Sequence, residues 1–343
     1  MCRDDFKLEI QMLSTYRNLL MGLAAIGVFV MHFIVQGVLA FPSPLKKIET
    51  VLLLWGSSGV DVFCLLSGFG LFYSLEKNPK LSQYYKKRVI RVYIPFLLIT
   101  IPGYLFFLKI SIKKCLIKWT TLYLWVSGND GTWFVSFIIV MYLLSPIIYK
   151  FYKSSSTRKL IVKHCIAVAL MWILLWGGER AFPALIAQVG IALYRIPIFF
   201  TGMLLAALVK QNANFSISDW IIAVMAIITV LKSVLDIDTG TIDMLTMACR
   251  SFFFVYVECI VLQLLSKFQT KIRFVLLNSI GKYSLEFYLI HILVINWVKN
   301  KPDVVAYLHG RFDICFVIAG VTYLLSLLVS KISAGVMHKL KLN

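Results

Sequence analysis

Long apolar runs recur along the whole of this 343-residue chain, and they decide what it can fold into. Each is about 17–24 residues long, the length of helix that crosses roughly 30 Å of hydrocarbon at about 1.5 Å per residue. The chain is 60% hydrophobic, with a mean hydropathy of +0.83. A soluble domain holds roughly 45–50% apolar residues. The polar gaps near 75–91 and 150–163 are only loops, too short for a soluble domain. The sequence therefore reads as an all-α, polytopic membrane protein, a single integral-membrane domain over 1–343.

About ten spans around a polar cavity fit the runs, near 19–38, 52–74, 89–108, 132–149, 161–177, 187–209, 219–235, 244–266, 276–298 and 313–332. The segment 115–127 is too short to cross comfortably and reads as interfacial or re-entrant. The first 18 residues are polar, and the run after them is too long for a signal peptide, so it is kept as a first helix. A net charge of +19 on a soluble chain would suggest nucleic acid. Here the charge lies between spans, so the partner it implies is the lipid bilayer, with no nucleic acid. With the N-terminus inside, roughly 22 of the 35 Lys and Arg fall on the cytoplasmic side, the asymmetry of an N-in, C-in chain. The lysines at 109–118 then lie outside, against the rule. Seven scattered cysteines without a C-x-x-C give neither a disulfide framework nor a structural zinc. No internal repeat is visible.

Polar groups inside these runs carry the functional signal, because lipid tolerates them only toward protein or a watery cavity. His32 lies past the midpoint of the first span. The second carries Ser57, Asp61, Cys64 and Gly68 on one polar or small face. Asp61 either packs against its own helix or orients a histidine. Cys64 is a poor nucleophile in apolar surroundings. Arg88 and Arg91 share a face at the mouth of the third span, where guanidinium forks either bind phosphate or mark the inner side. Trp133 opens the fourth span and is most simply a belt anchor. Arg195 lies about two turns into the sixth span, near Pro197, which permits a local break. Arg250 and Glu258 sit in the eighth. In the ninth, Lys282 and Glu286 have the spacing of an ordinary i,i+4 helix pair, and His291 lies deeper. His164, His309 and His338 receive no role.

These residues resemble the acyltransferase-3 family of bacterial integral-membrane acyltransferases, which O-acylate sugars and glycans. The likeness rests on LAAIGVFVMH ending at His32, GVDVFCLLSGF at 59–69, KRVIRVYIP at 87–95, TWFVSFIIVMYLLSP at 132–146, RIPIFFTG at 195–202 and GKYSLEFYLIH at 281–291. It covers nearly the whole chain. Two positions depart from the family pattern: Met21 stands where members usually carry arginine, with Arg17 one turn earlier, and Ile138 where they often carry glutamate.

The resemblance implies a multi-pass protein of the bacterial plasma membrane, with His32 as catalytic base and Arg88 and Arg91 holding acyl-CoA. An acyl group, most commonly acetyl from cytoplasmic acetyl-CoA, would pass to a sugar hydroxyl of a cell-surface or exported polysaccharide. The glycan acceptor would enter from the extracytoplasmic side, and no metal would take part. Asp61 would hold the His32 ring, while Arg195, Arg250, His291, Glu286 and Trp133 are candidates for the oxyanion or the acceptor. The rival readings are a glycan or anion transporter or flippase, built on the same buried charges, and a scaffold without activity.

Overall fold

The computed structural model describes residues 11–77, 79–129, 131–153, 156–211, 240–268 and 274–339, and every regular element among them is helical. In chain order these are α1 (Gln11–Thr15), α2 (Arg17–Val35), α3 (Lys46–Glu76), α4 (Leu81–Pro102), α5 (Ile112–Trp119), α6 (Tyr123–Ser127), α7 (Trp133–Tyr152) and α8 (Thr157–Ala181). They continue as α9 (Pro183–Leu193), α10 (Ile196–Lys210), α11 (Gly240–Phe268), α12 (Val275–Lys282), α13 (Ser284–Lys299), α14 (Pro302–Leu308) and α15 (Phe312–Lys339).

Seven stretches among the described residues are long and apolar enough to cross a membrane: Arg17–Val35, Ser43–Glu76, Leu81–Phe107, Trp133–Tyr152, Thr157–Ala181, Pro183–Lys210 and Phe312–Lys339. The chain is a multi-pass membrane protein. Its outer helices show the solvent they are built for. α8 and α15 leave Leu174 73% and Phe316 76% exposed, apolar surface that belongs against lipid rather than water. Of the remaining expected spans, 219–235 lies outside the described residues. The one at 244–266 falls in α11, with the apolar stretch Ser251–Leu265.

Two expected spans are not single helices. The run 276–298 divides into α12 and α13 at Tyr283, which leaves helical geometry at φ −110° and ψ 25°. Its N–H is shared between the carbonyls of Ser279 and Ile280, at 3.1 and 3.2 Å. The run 187–209 divides into α9 and α10 at Tyr194 and Arg195. Pro197 withholds the N–H that would have met the Leu193 carbonyl, and the chain tightens so that Arg195 N–H bonds Ala192 O at 3.1 Å. The segment 115–127 forms α5 and α6, of eight and five residues. At about 1.5 Å per residue neither crosses a bilayer, in keeping with an interfacial or re-entrant course.

The chain divides into two compact units. The first draws on Met1–Met21, Ser58–Asn78 and Leu144–Asn278. Within it α8 packs on α9, α10 and α11. α3 crosses α10 with almost nothing between the backbones. A Cβ on Gly68 would strike the Phe199 carbonyl oxygen, and one on Gly202 the Leu65 carbonyl oxygen. Small residues at such a crossing let helices associate in lipid by close packing.

The second unit draws on Gly22–Ser57, Pro79–Leu143 and Ser279–Asn343. α4, α13 and α15 pack on one another. Along α4, its π-helical continuation Gly103–Phe107 and α13 the contacts climb in step. Arg91 acts electrostatically on Glu286, a Cβ on Gly103 would strike Leu293, and the Phe107 ring stacks on Trp297 at 5.4 Å. The two helices therefore run parallel. α2 meets the first part of α3 at another small-residue crossing, where a Cβ on Gly56 would strike the Gly27 carbonyl oxygen and Met31.

Candidate active site

The crossing at Gly27 and Gly56 brings α2 in tightly and fixes the helix turn that carries His32. In the second unit His32 Nδ1 lies 2.9 Å from Nε2 of His291, on α13. His291 Nδ1 lies 3.0 Å from the carbonyl oxygen of Phe287, one turn back on the same helix. A carbonyl only accepts, so His291 Nδ1 carries the proton and donates. In the neutral ring His291 Nε2 is then a lone pair, and it accepts from His32 Nδ1–H. The remaining lone pair of the dyad is on His32 Nε2. Two ordinary contacts thus select one tautomer of His32 and leave its far nitrogen free to take a proton.

Aromatic rings hold the dyad. Phe29 stacks on Phe33 at 4.4 Å and lies 5.8 Å from both Phe287 and His291. Tyr288 meets His291 edge-on at 5.7 Å, and its hydroxyl donates to the Gly131 carbonyl. Gly131 adopts φ +87°, a conformation that only glycine takes without strain, and lies against Ile292 and Asn296. Phe134 packs edge-on to Tyr288 at 6.0 Å. His291 is fully buried while His32 is only half-buried, so the nitrogen that needs access belongs to the less enclosed ring.

Arg88 and Arg91 lie near the start of α4, half-buried and exposed respectively. Arg88 reaches over the Tyr84 ring at 6.0 Å. Glu286 is buried and interacts electrostatically with Arg91. The i,i+4 pair expected between Lys282 and Glu286 is not made. The helix breaks between them at Tyr283, and Lys282 lies over the Tyr283 ring at 5.1 Å instead. Along α13 the order is Glu286, then His291, then the end at Lys299.

Trp133 is not a lipid-facing belt anchor. It is 6% exposed, beside Phe134 and Phe137 of its own helix, so α7 starts enclosed by protein. Ile138 is buried. In the first unit Asp61 is fully buried, and its Oδ1 lies 2.7 Å from Arg195 Nε. Arg195 Nη1 also donates to Ile191 O at 2.7 Å. The observed partner of the His32 ring is thus His291, and that of Asp61 is Arg195. Arg17 lies with its guanidinium against Gly70. The side chain of Arg250 lies outside the described residues. His164 is satisfied at both nitrogens, by the Tyr152 hydroxyl at 2.8 Å and the Thr201 hydroxyl at 3.2 Å, as befits a core histidine.

A family model described as an acyltransferase domain, that of the acyltransferase-3 family, matches residues 16–331. The chain belongs to that family. No curated protein and no solved structure matches it. Membership makes the chain a membrane acyltransferase, and the matched region contains every candidate residue named above.

Proposed function

We propose that this acyltransferase moves an acetyl group from cytoplasmic acetyl-CoA to a sugar hydroxyl of an exported or cell-surface polysaccharide, across a bacterial plasma membrane. The observation that carries the reading is the His32–His291 dyad, with its basic nitrogen on the more open ring. Arg88 and Arg91, at the start of α4, offer guanidinium forks that suit the phosphates of CoA. Glu286 steadies Arg91 from α13. Asp61 acts as the counter-ion that holds Arg195.

In this mechanism an acceptor hydroxyl approaches His32 Nε2 and gives it a proton as its oxygen attacks the thioester carbon. Positive charge forming on His32 is shared through Nδ1–H with His291 Nε2 and thence to the Phe287 carbonyl. The tetrahedral intermediate collapses, the C–S bond breaks, and the proton on His32 Nε2 passes to the departing thiolate. The products are the sugar ester and free CoA. Neither histidine is consumed, and no acyl group need rest on the protein.

The test is acetyl transfer by the purified chain in liposomes. His32→Ala is expected to lower kcat by roughly 10²–10⁴-fold, the usual worth of a general base. Arg88→Ala and Arg91→Ala are expected to raise KM for acetyl-CoA and to leave KM for acetyl-pantetheine, which lacks the nucleotide phosphates, where it was. Full activity of His32→Ala, or an unmoved KM for acetyl-CoA in both arginine variants, overturns the scheme.

A further inference from the structure

At the other end of the second unit from Arg88 and Arg91 lies a pocket of about 280 Å³. Lys114 and Lys118 of α5, Lys299 and Asn296 of α13, Asn300 and Tyr104 supply its polar lining, and none of the described lining residues is a carboxylate. Lys114 and Lys299 are exposed, so their ammonium groups are open to a ligand. Lys118 is 6% exposed, and its ammonium lies 4.2 Å from the Tyr123 ring centroid and 5.3 Å from that of Tyr104. The two rings orient its charge at the wall of the cavity.

Topology does not account for these lysines. In the orientation proposed above they face outward, where the positive-inside rule places fewest cations. Contact with lipid phosphate would ask only for a basic rim. This is a concave site that combines cations with amide groups and a tyrosine, a donor and acceptor set suited to hydroxyl-rich ligands. Its place on α13 adds to this. Asn296 and Lys299 lie five and eight residues beyond His291, about 7 and 12 Å along the helix axis. A short oligosaccharide held there would reach back to the dyad.

We infer that this pocket binds an anionic group, a carboxylate or phosphate, on the acceptor glycan, so that the enzyme acylates acidic rather than neutral glycans. The inference rests on the acyl-transfer reading above and names its acceptor class. Acid recognition is separate from chemistry. The ammonium groups hold the anion, and the neighbouring sugar presents its hydroxyl to His32 Nε2.

The experiment compares an oligosaccharide containing uronic acid with its carboxyl-reduced counterpart, and a sugar-phosphate polymer with its dephosphorylated form. Transfer is measured for the wild type, Lys114→Gln and Lys299→Gln, both exposed positions where folding is not at stake. Wild type should prefer the acidic acceptor, and each substitution should raise its KM roughly ten-fold, the worth of one charge-assisted hydrogen bond. KM for the acyl donor should not move, and the acidic preference should shrink as salt rises. Equal use of acidic and neutral acceptors by wild type overturns the inference. So does a loss in the lysine variants that is the same for both acceptors and follows the anionic lipid content of the vesicles, which would assign the pocket to a headgroup. Binding of the acidic oligosaccharide is read separately by calorimetry. Binding that weakens in both variants, without transfer to any glycan, would keep the pocket and sink the acyl-transfer reading.

Discussion

His32 and His291 stand 259 residues apart in sequence and 2.9 Å apart in space. The sequence marked each as an intramembrane histidine but not their pairing, because helical periodicity carries information only within one helix. The pairing of Asp61 with Arg195 was hidden for the same reason. What the pairing adds is a direction for the proton: His291 acts as a positioning residue through the lone pair it offers to His32 Nδ1–H. His291→Leu removes that acceptor, and kcat should fall by roughly 10²–10⁴-fold, the upper figure being the loss when the histidine of a serine-protease triad loses its orienting group. His291→Gln, whose amide oxygen can accept the same hydrogen bond, should recover part of the loss. KM for acetyl-CoA should stay constant throughout. The acid limb of the rate profile belongs to the coupled pair rather than to one ring, so it should move in His291→Gln. An unmoved limb, or no difference between Leu and Gln, would reduce His291 to packing.

At the scale of the helix, the seam between α3 and α10 joins a polar contact to a small-residue crossing. Asp61 and Arg195 form the ion pair, and Gly68 and Gly202 form the crossing on the same two elements. Much of this was legible. Asp61 and Gly68 stand out on one face of their span and Arg195 as a charge inside its own, and Pro197 announced the break that sets Arg195 at the start of α10. The belt role of Trp133 and the Lys282–Glu286 pair were misread for one reason: each assumed an uninterrupted helix or a lipid-facing start, and backbone breaks are decided by packing. Asp61→Ala or Arg195→Ala removes one partner of a buried ion pair and should cost about 3–5 kcal/mol. The double substitution should cost less than the sum. Gly202→Val forces the backbones apart and should lower the melting temperature more than Gly202→Ala. A thermal unfolding series in detergent reads all of these, and strict additivity of the two charge removals would deny the pair its role.

For the whole molecule, the proposal requires sidedness, because acyl-CoA is made in the cytoplasm and the glycan is displayed outside. The second unit supplies an axis on which this can be tested. α4 and α13 run parallel, with Arg88 and Arg91 near the start of α4 and the lysine pocket at the far end of α13. α4 alone has 22 residues, about 33 Å of helix, enough to separate the two ends by a bilayer. Gln83 and Lys301 are both exposed and flank these ends. In right-side-out vesicles a membrane-impermeant maleimide should label Lys301→Cys directly. It should label Gln83→Cys only after permeabilisation, with the unsubstituted chain as background. Acetyl-CoA should support transfer only when supplied to the side on which Gln83→Cys is labelled. The reverse pattern would put the guanidinium groups where no thioester is made. The dyad would then have to draw its acyl group from a donor on the outer face, and Arg88 and Arg91 would lose their assignment to CoA.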